Sequence, residues 1–271
     1  MSKKRRKKKK NKLIPILSVL IIFLICLIAI LDKDEIEPIF IEKCGQYEIE
    51  KFDTSKEYYT YSDDTYTSII GIDVSEHNES INWKEVKESG VEFAFIRIGW
   101  RGYTEGGIYK DELFEQNYLS AQDEGIKVGV YFFSQATTVK EAQEEAQFVQ
   151  KELQNKQIQL PVVYDFETVE SKEGRANKLT KQQVSDNAKA FFEILENKYQ
   201  VMLYGNTPLL ELYDQELLDK YPLWFAQFYH KPETTHNFTI WQYSESGNVP
   251  GISKPTDLNI MMLKRWSRVQ S

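Results

Sequence analysis

From Ile69 onward the sequence alternates short β-branched runs with segments of helical period, and no other feature limits the possible folds as strongly. Strands are predicted over 68–74, 93–98, 127–133, 162–164, 200–204, 222–226, 238–242 and 257–261, and helices over 83–89, 111–124, 138–153, 180–198 and 207–212. In the longest helix Val184, Ala188, Phe191, Phe192 and Leu195 share one face, with Thr180 ahead of them as N-cap. Gly90 and Gly125 supply the stops of two others. Strands separated by helices imply parallel pairing through right-handed crossovers. Eight of them in about 200 residues suit a TIM-like β/α barrel at the small end of its size range. Helices are reduced in the last third, where three strands follow closely. An open doubly wound sheet is the alternative, although no G-x-G-x-x-G follows the first strand.

Ahead of this body the chain changes character. Residues 1–12 carry nine Lys or Arg and no acid, leaving 25 basic against 41 acidic residues in the rest, a balance of −16. So acidic a body argues against nucleic acid as a partner, because phosphate neutralisation needs a basic face. Residues 13–31 are uncharged, interrupted only by Pro15, Ser18 and Cys26, and long enough to span a bilayer. Basic residues on one flank and Asp32, Asp34, Glu35 and Glu37 on the other predict a single-pass signal-anchor in the cell membrane. That polarity puts the N-terminus in the cytoplasm and the body outside. A cleaved signal peptide competes with this reading, but no small-x-small cleavage site follows Leu31. Residues 32–68 read as an extracytoplasmic stalk whose Tyr-rich later part packs on the body, and 69–271 as the folded domain itself. Cys26 and Cys44 form no disulfide framework, so the domain depends on its core. With 41% hydrophobic and 13% aromatic residues, it has the material for one.

The chemistry concentrates in P-V-V-Y-D-F-E-T (161–168). An apolar run with Pro at its start reads as a buried strand leading into two acids. Asp165 and Glu167, two apart on a strand, face the same way, with β-carbons roughly 6.5–7 Å apart. Burial and mutual repulsion raise at least one of the two pKa values, as general acid catalysis requires. A lone D-x-E is more often a strand running out into water, so the other strand ends decide its meaning.

Barrel active sites lie at the carboxyl ends of the strands. There the sequence places Asp73, Arg97 and Trp100, Tyr131, the two acids, Tyr204, Trp224 and Gln227, and Gln242; Asp257 falls near the start of the eighth strand. Acids ringed by aromatics suit a carbohydrate cleft, where rings stack on sugars and a carboxyl group protonates a glycosidic oxygen. Each residue also has a plainer reading. Asp73 could cap a loop, the tryptophans could be core, Arg97 could neutralise a rim acid, and Asp257 with Asn259 could form a turn. Several acids on one rim could instead hold Mg²⁺ or Ca²⁺. His77, His230 and His236 lack zinc-site spacing, and no nucleophile elbow or phosphate loop is present. No cofactor or resident metal is expected.

G-I-D-V-S-E-H-N (71–78), I-N-W (81–83), Y-D-F-E (164–167), L-Y-G-N (203–206), L-W-F-A-Q (223–227), I-W-Q-Y-S (240–244) and T-D-L-N (256–259), in this order, resemble the family 25 glycoside hydrolases, the lysozyme-type N-acetylmuramidases. The resemblance covers about 69–265. It implies a β/α barrel that cleaves the β-1,4 bond between N-acetylmuramic acid and N-acetylglucosamine in peptidoglycan. Carried over by position, Glu167 is the general acid/base, Asp165 orients or stabilises the reacting centre, and Asp73 and Asp257 are the other active-site carboxylates. Arg97, Trp100, Tyr131, Tyr204, Trp224, Gln227 and Gln242 are the expected substrate contacts. A D-x-E pair is similar to that of enzymes in which the substrate's own N-acetyl oxygen attacks the anomeric carbon; an inverting route through an activated water stays open. The chain departs from the common pattern at 78–80, at Arg97 where Lys is frequent, and at 132–134. A catalytically silent peptidoglycan-binding domain on the same scaffold is the competing reading. The anchor suggests local wall remodelling, with an envelope-spanning assembly as a partner.

Overall fold

The computed structural model describes residues 38–39, 41–42 and 47–265. The basic run 1–12, the apolar stretch 13–31 and the first part of the stalk lie outside the described residues, as does Cys44. Among the described residues no helix is long and apolar enough to cross a membrane.

The strands are β1 (Phe52–Asp53), β2 (Thr60–Tyr61), β3 (Tyr66–Val74), β4 (Phe93–Arg101), β5 (Ile108–Lys110), β6 (Lys127–Ser134), β7 (Val162–Phe166), β8 (Val201–Gly205), β9 (Leu223–Ala226), β10 (Ile240–Gly247) and β11 (Thr256–Lys264). Eight of them close into a barrel in the order β3-β4-β6-β7-β8-β9-β10-β11, with β11 returning to β3. From β3 to β10 every neighbouring pair is parallel. β11 is antiparallel to both its neighbours. The barrel is therefore mixed, and the all-parallel TIM pattern fails at its last strand. The reason is chain length. Only residues 248–255 join β10 to β11, whereas a parallel crossover needs about a dozen residues or more. β5 adds a short antiparallel ribbon to β4 outside the ring.

Helices Phe114–Asp123, Val139–Glu152 and Lys181–Leu195 cover the outside of β4 to β8, and the shorter Trp83–Glu88, Thr207–Leu210 and Gln215–Lys220 fill the gaps. Thr180 and Gln183 form a capping box on the longest helix, and Asn206 and Asp214 cap the short ones. The predicted contents of the Trp83 helix also hold: Trp83 is buried and its indole N–H donates to Asn117 at 3.2 Å.

Period-two alternation sorts each strand into two faces. Ile72, Val74, Ala94, Ile96, Val128, Val130, Val162, Tyr164, Leu203, Trp241 and Ile260 join the layer between barrel and helices. Ile69, Phe93, Phe95, Val163, Met202, Trp224, Ile240 and Met261 fill the barrel itself. Gly71 and Gly129 make room for this filling. A β-carbon at Gly71 would stand 2.2 Å from the Phe93 ring, and one at Gly129 would stand 2.4 Å from Phe95.

Ile39 and Ile41 join the interior cluster. Ile39 N–H donates to the carbonyl of Gln159 at 2.8 Å, and Ile41 N–H to the Gln200 side chain at 2.9 Å. Gln159 and Gln200 precede β7 and β8, so this segment closes the barrel at the amino ends of its parallel strands. Residues 47–68 also pack on the body. Phe52 meets Trp241 edge-on at 5.2 Å, and Tyr59 stacks on Tyr243 at 4.2 Å. The first barrel strand starts at Tyr66, two residues ahead of its predicted start.

Candidate active site

The inward positions change chemistry along the strands. At the closed end they are Ile, Phe, Val and Met. At the carboxyl ends they become Asp73 on β3, Arg97 on β4, Tyr131 on β6, Asp165 on β7, Tyr204 on β8 and Gln242 on β10. On β7 the inward series is Val163, Asp165 and then Glu167 just past the strand end. Hydrophobic closure of one mouth thus delivers two acids to the other. Because β11 runs backward, its start lies at this same mouth, which explains how Asp257 reaches the site from the beginning of a strand. Asp257 is opposite Asp73 in the register, and Asn259 is opposite Gly71.

These groups line a cavity of 280 Å³, together with Trp224, Phe133, His77 and Asn78. Asp73 is held on two sides. Gln242 Nε2 donates to its Oδ2 at 2.9 Å and Asn259 Nδ2 at 2.7 Å. Trp224 Nε1 donates to Asn259 Oδ1 at 2.8 Å, and the Tyr204 hydroxyl donates to Gln242 Oε1 at 2.9 Å. The amides are therefore fixed with their N–H groups toward the acid. Asn259 belongs to the site as well, although it is not among the site residues expected from the sequence, where a turn with Asp257 is one reading. The period-two spacing from Asp257 was the available signal, since i and i+2 on a strand share a face.

Asp165 is buried, and its Oδ1 has no hydrogen-bond partner among the described residues. Burial pushes its carboxyl well above the usual range, and the charges of Glu167 and Asp73 add to this, while Arg97 opposes it. Glu167 is pushed up to about 7, first by burial and then by the charge of Asp73. Asp257 is pushed up to about 9 by burial, the charge of Asp73 and a hydrogen bond to it. Asp73 is raised by burial against the donations from Asn259 and Gln242. The rim therefore carries protons at neutral pH, shared between close acids. Arg97 is anchored from behind, its Nε 2.9 Å from Asp111 and its Nη2 3.2 Å from Glu76.

Two of the expected substrate contacts, Trp100 and Gln227, do not line this cavity. Trp100 is outside the lining of the cavity. A register irregularity follows Arg97 in the β4–β6 ladder, and β4 then continues into its hairpin with β5. There Trp100 stacks with Tyr109 at 5.6 Å under the Arg97 guanidinium at 4.6 Å. Gln227, just past β9, lines a second pocket of 840 Å³. Its side chain accepts from Glu233 N–H at 2.9 Å and donates to the carbonyl of Lys231 at 3.3 Å, so it holds its own loop. Glu167, Tyr204, Gln242 and Asp257 line both pockets, which makes the two one groove. Among the described residues no group of three or more His, Cys, Asp or Glu is arranged to hold a metal ion.

Residues 72–252 match the family model of the glycosyl hydrolases family 25. The chain belongs to this family. The match spans Asp73, Asp165 and Glu167; Asp257 lies just beyond it. The chain is 29% identical over 191 residues to the autolytic lysozyme of Clostridium acetobutylicum, covering 70% of this chain and 54% of that protein. It thus spans about half the length of that curated relative. The bacterial lysozyme of Streptomyces coelicolor is 27% identical with a TM-score of 0.60, over 70% of this chain and 90% of that one. A family 25 glycosyl hydrolase from Bacillus anthracis is 24% identical with a TM-score of 0.61, over 71% of this chain and 88% of the other, which supports the fold. Family 25 membership makes this domain a glycoside hydrolase domain, and its mixed eight-strand barrel is the fold it shares with these structures.

Proposed function

We propose that the chain is a membrane-anchored muramidase, a peptidoglycan hydrolase that cleaves the β-1,4 bond between N-acetylmuramic acid and N-acetylglucosamine. The observation that carries this reading is the pairing of Glu167 with Asp165 at the end of β7, in a cavity that raises Glu167 to about 7. Family 25 membership and the two lysozyme relatives support the substrate class.

In this reading Glu167 begins protonated and gives its proton to the glycosidic oxygen as the bond from that oxygen to the anomeric carbon breaks. The acetamido carbonyl oxygen of the same sugar forms a bond to the anomeric carbon, closing a cyclic oxazolinium. Asp165, whose buried Oδ1 has no hydrogen-bond partner among the described residues, accepts the hydrogen bond of the acetamido N–H and so orients the attacking oxygen. Water then attacks the anomeric carbon, Glu167 removes its proton, and the ring opens. Configuration is retained, and Glu167 ends protonated again. Asp73 and Asp257, hydrogen-bonded across the β3–β11 ladder, shape the floor, and the charge of Asp73 helps to keep Glu167 protonated.

The proposed anchor is the apolar stretch 13–31, with 1–12 in the cytoplasm, 32–68 as connecting segment and 69–271 as catalytic domain outside the membrane. A tethered hydrolase acts on wall close to its own membrane, which suits local opening of the wall for an envelope-spanning assembly. The test of the activity is mass spectrometry of products from defined peptidoglycan incubated with the full chain. New reducing ends on muramic acid are expected; reducing ends on N-acetylglucosamine would assign a different bond. Fractionation tests the anchor: full-length protein in the membrane is expected, and a shortened released form would refute it.

A further inference from the structure

The loop after β9 presents one aromatic ring to solvent in a way that core formation does not explain. Tyr229 is 87% exposed. Its backbone has φ 70°, in the left-handed region that a residue with a β-carbon rarely adopts. The side chain is nevertheless fixed. Its hydroxyl donates to Glu245 on β10 at 3.0 Å, and its ring meets Phe228 edge-on at 6.3 Å. The backbone beneath it is tied down by Gln227. A strained backbone that holds an exposed ring in place suggests a surface built for a ligand rather than a leftover of packing.

Tyr229 lines the larger pocket, which shares Glu167 and Asp257 with the catalytic cavity. In the closed ring β9 stands four strands from β4, on the opposite side of the mouth. A glycan strand laid across the mouth from the β4 side passes the acids and leaves over the β9 loop. We propose that Tyr229 is the stacking platform of an outer subsite, taking the face of a hexosamine ring remote from the bond that is cut. The apolar face of a pyranose ring covers an aromatic ring, and a platform held in advance costs little ordering when the sugar arrives.

This inference rests on the glycan-cleaving reading above, and the test separates the two. The full chain is assayed as wild type, Tyr229→Ala and Tyr229→Phe, on long glycan strands and on the shortest oligosaccharide that the wild type cleaves. Tyr229→Ala is expected to lower kcat/KM on long strands about tenfold through KM, leaving the short substrate unchanged. Tyr229→Phe, which keeps the ring but loses the bond to Glu245, is expected to fall between Tyr229→Ala and wild type on long strands and to match wild type on the short substrate. Equal activity of Tyr229→Ala and wild type on long strands would overturn the subsite while leaving the catalytic reading intact. An equal loss on both substrates would also overturn it, because the ring would then act at the reacting sugars or on the fold. Absence of turnover by the wild type on either substrate would overturn the catalytic reading, and the subsite with it.

Discussion

Asp257 stands opposite Asp73 across the antiparallel ladder of β11 and β3, and burial, the charge of Asp73 and a hydrogen bond to it push the Asp257 carboxyl up to about 9. The reversed last strand creates this pairing. A parallel eighth strand would have carried Asp257 to the closed end of the barrel. The charge that remains on the pair acts on Glu167, which is raised to about 7 partly by Asp73.

Removing that charge should move the pH profile. With Glu167 as the proposed acid, kcat/KM of the wild type should fall as pH rises through about 7. In Asp73→Asn the repulsion that favours the protonated form is gone, so the alkaline limb should shift to lower pH by about 0.5–1 unit. The profile is read independently of any drop in absolute rate. A limb that stays in place would mean that Asp73 does not govern the proton on Glu167.

The same shift has a consequence for stability. A carboxyl group raised by folding contributes its stability below its unfolded pKa and loses it as pH rises through the folded value. For Glu167 the loss runs from about 4.5 to about 7. Glu167→Gln, which cannot ionise, should therefore be more stable than the wild type at pH 8, by up to about 3 kcal/mol. At pH 4 the two should unfold alike. Denaturant titrations at the two pH values check this, and a wild type that is the more stable at pH 8 would contradict it.

Much of this arrangement was legible in the sequence. The strand starts at 93 and 127 and the helix over 83–88 lie where periodicity puts them, because burial on one face forces a strict pattern. Asp73, Asp165, Glu167 and Asp257 converge because each follows or precedes such a run. Less visible was whatever depends on contacts between distant segments. The direction of β11 follows from loop length, a weaker signal than hydrophobic pattern. β1, β2 and β5 are too short to carry a period, and the helix Gln215–Lys220 is barely longer than a turn. That Trp100 is outside the cavity lining follows from a register irregularity in β4, which alternation does not reveal. Asn259 was absent from the expected site residues because its spacing from Asp257 fits a turn pair as well as a shared strand face.

Inside the barrel, Gly71 and Phe93 are register partners on β3 and β4 and divide one space between them. Gly71→Ala should destabilise the fold by about 1–3 kcal/mol through overpacking. Phe93→Leu should destabilise it too, through lost volume, but the double variant should cost less than the sum of the two. A double-mutant cycle by denaturant unfolding measures the coupling, and strict additivity would show that the two do not share that space.

Outside the barrel, Arg101 and Glu145 form a buried ion pair at 2.7 Å, and Ser134 donates to the second carboxylate oxygen at 2.6 Å. Glu145→Ala removes the buried carboxylate but leaves the guanidinium Glu144 and the carbonyls of Gly106 and Glu141, so it should cost about 2–3 kcal/mol in unfolding free energy. Neither residue lines the groove, so kcat/KM of the folded fraction should stay near wild type. A loss of activity without a loss of stability would contradict a purely structural role.

The central claim is that Glu167 moves the proton that breaks the glycosidic bond. Its most direct test is turnover of purified peptidoglycan by the full chain with Glu167→Gln, measured as new reducing ends, with folding checked by circular dichroism. The account predicts a loss of about 100-fold or more in a chain that remains folded. Cleavage at the wild-type rate by the folded variant would contradict it.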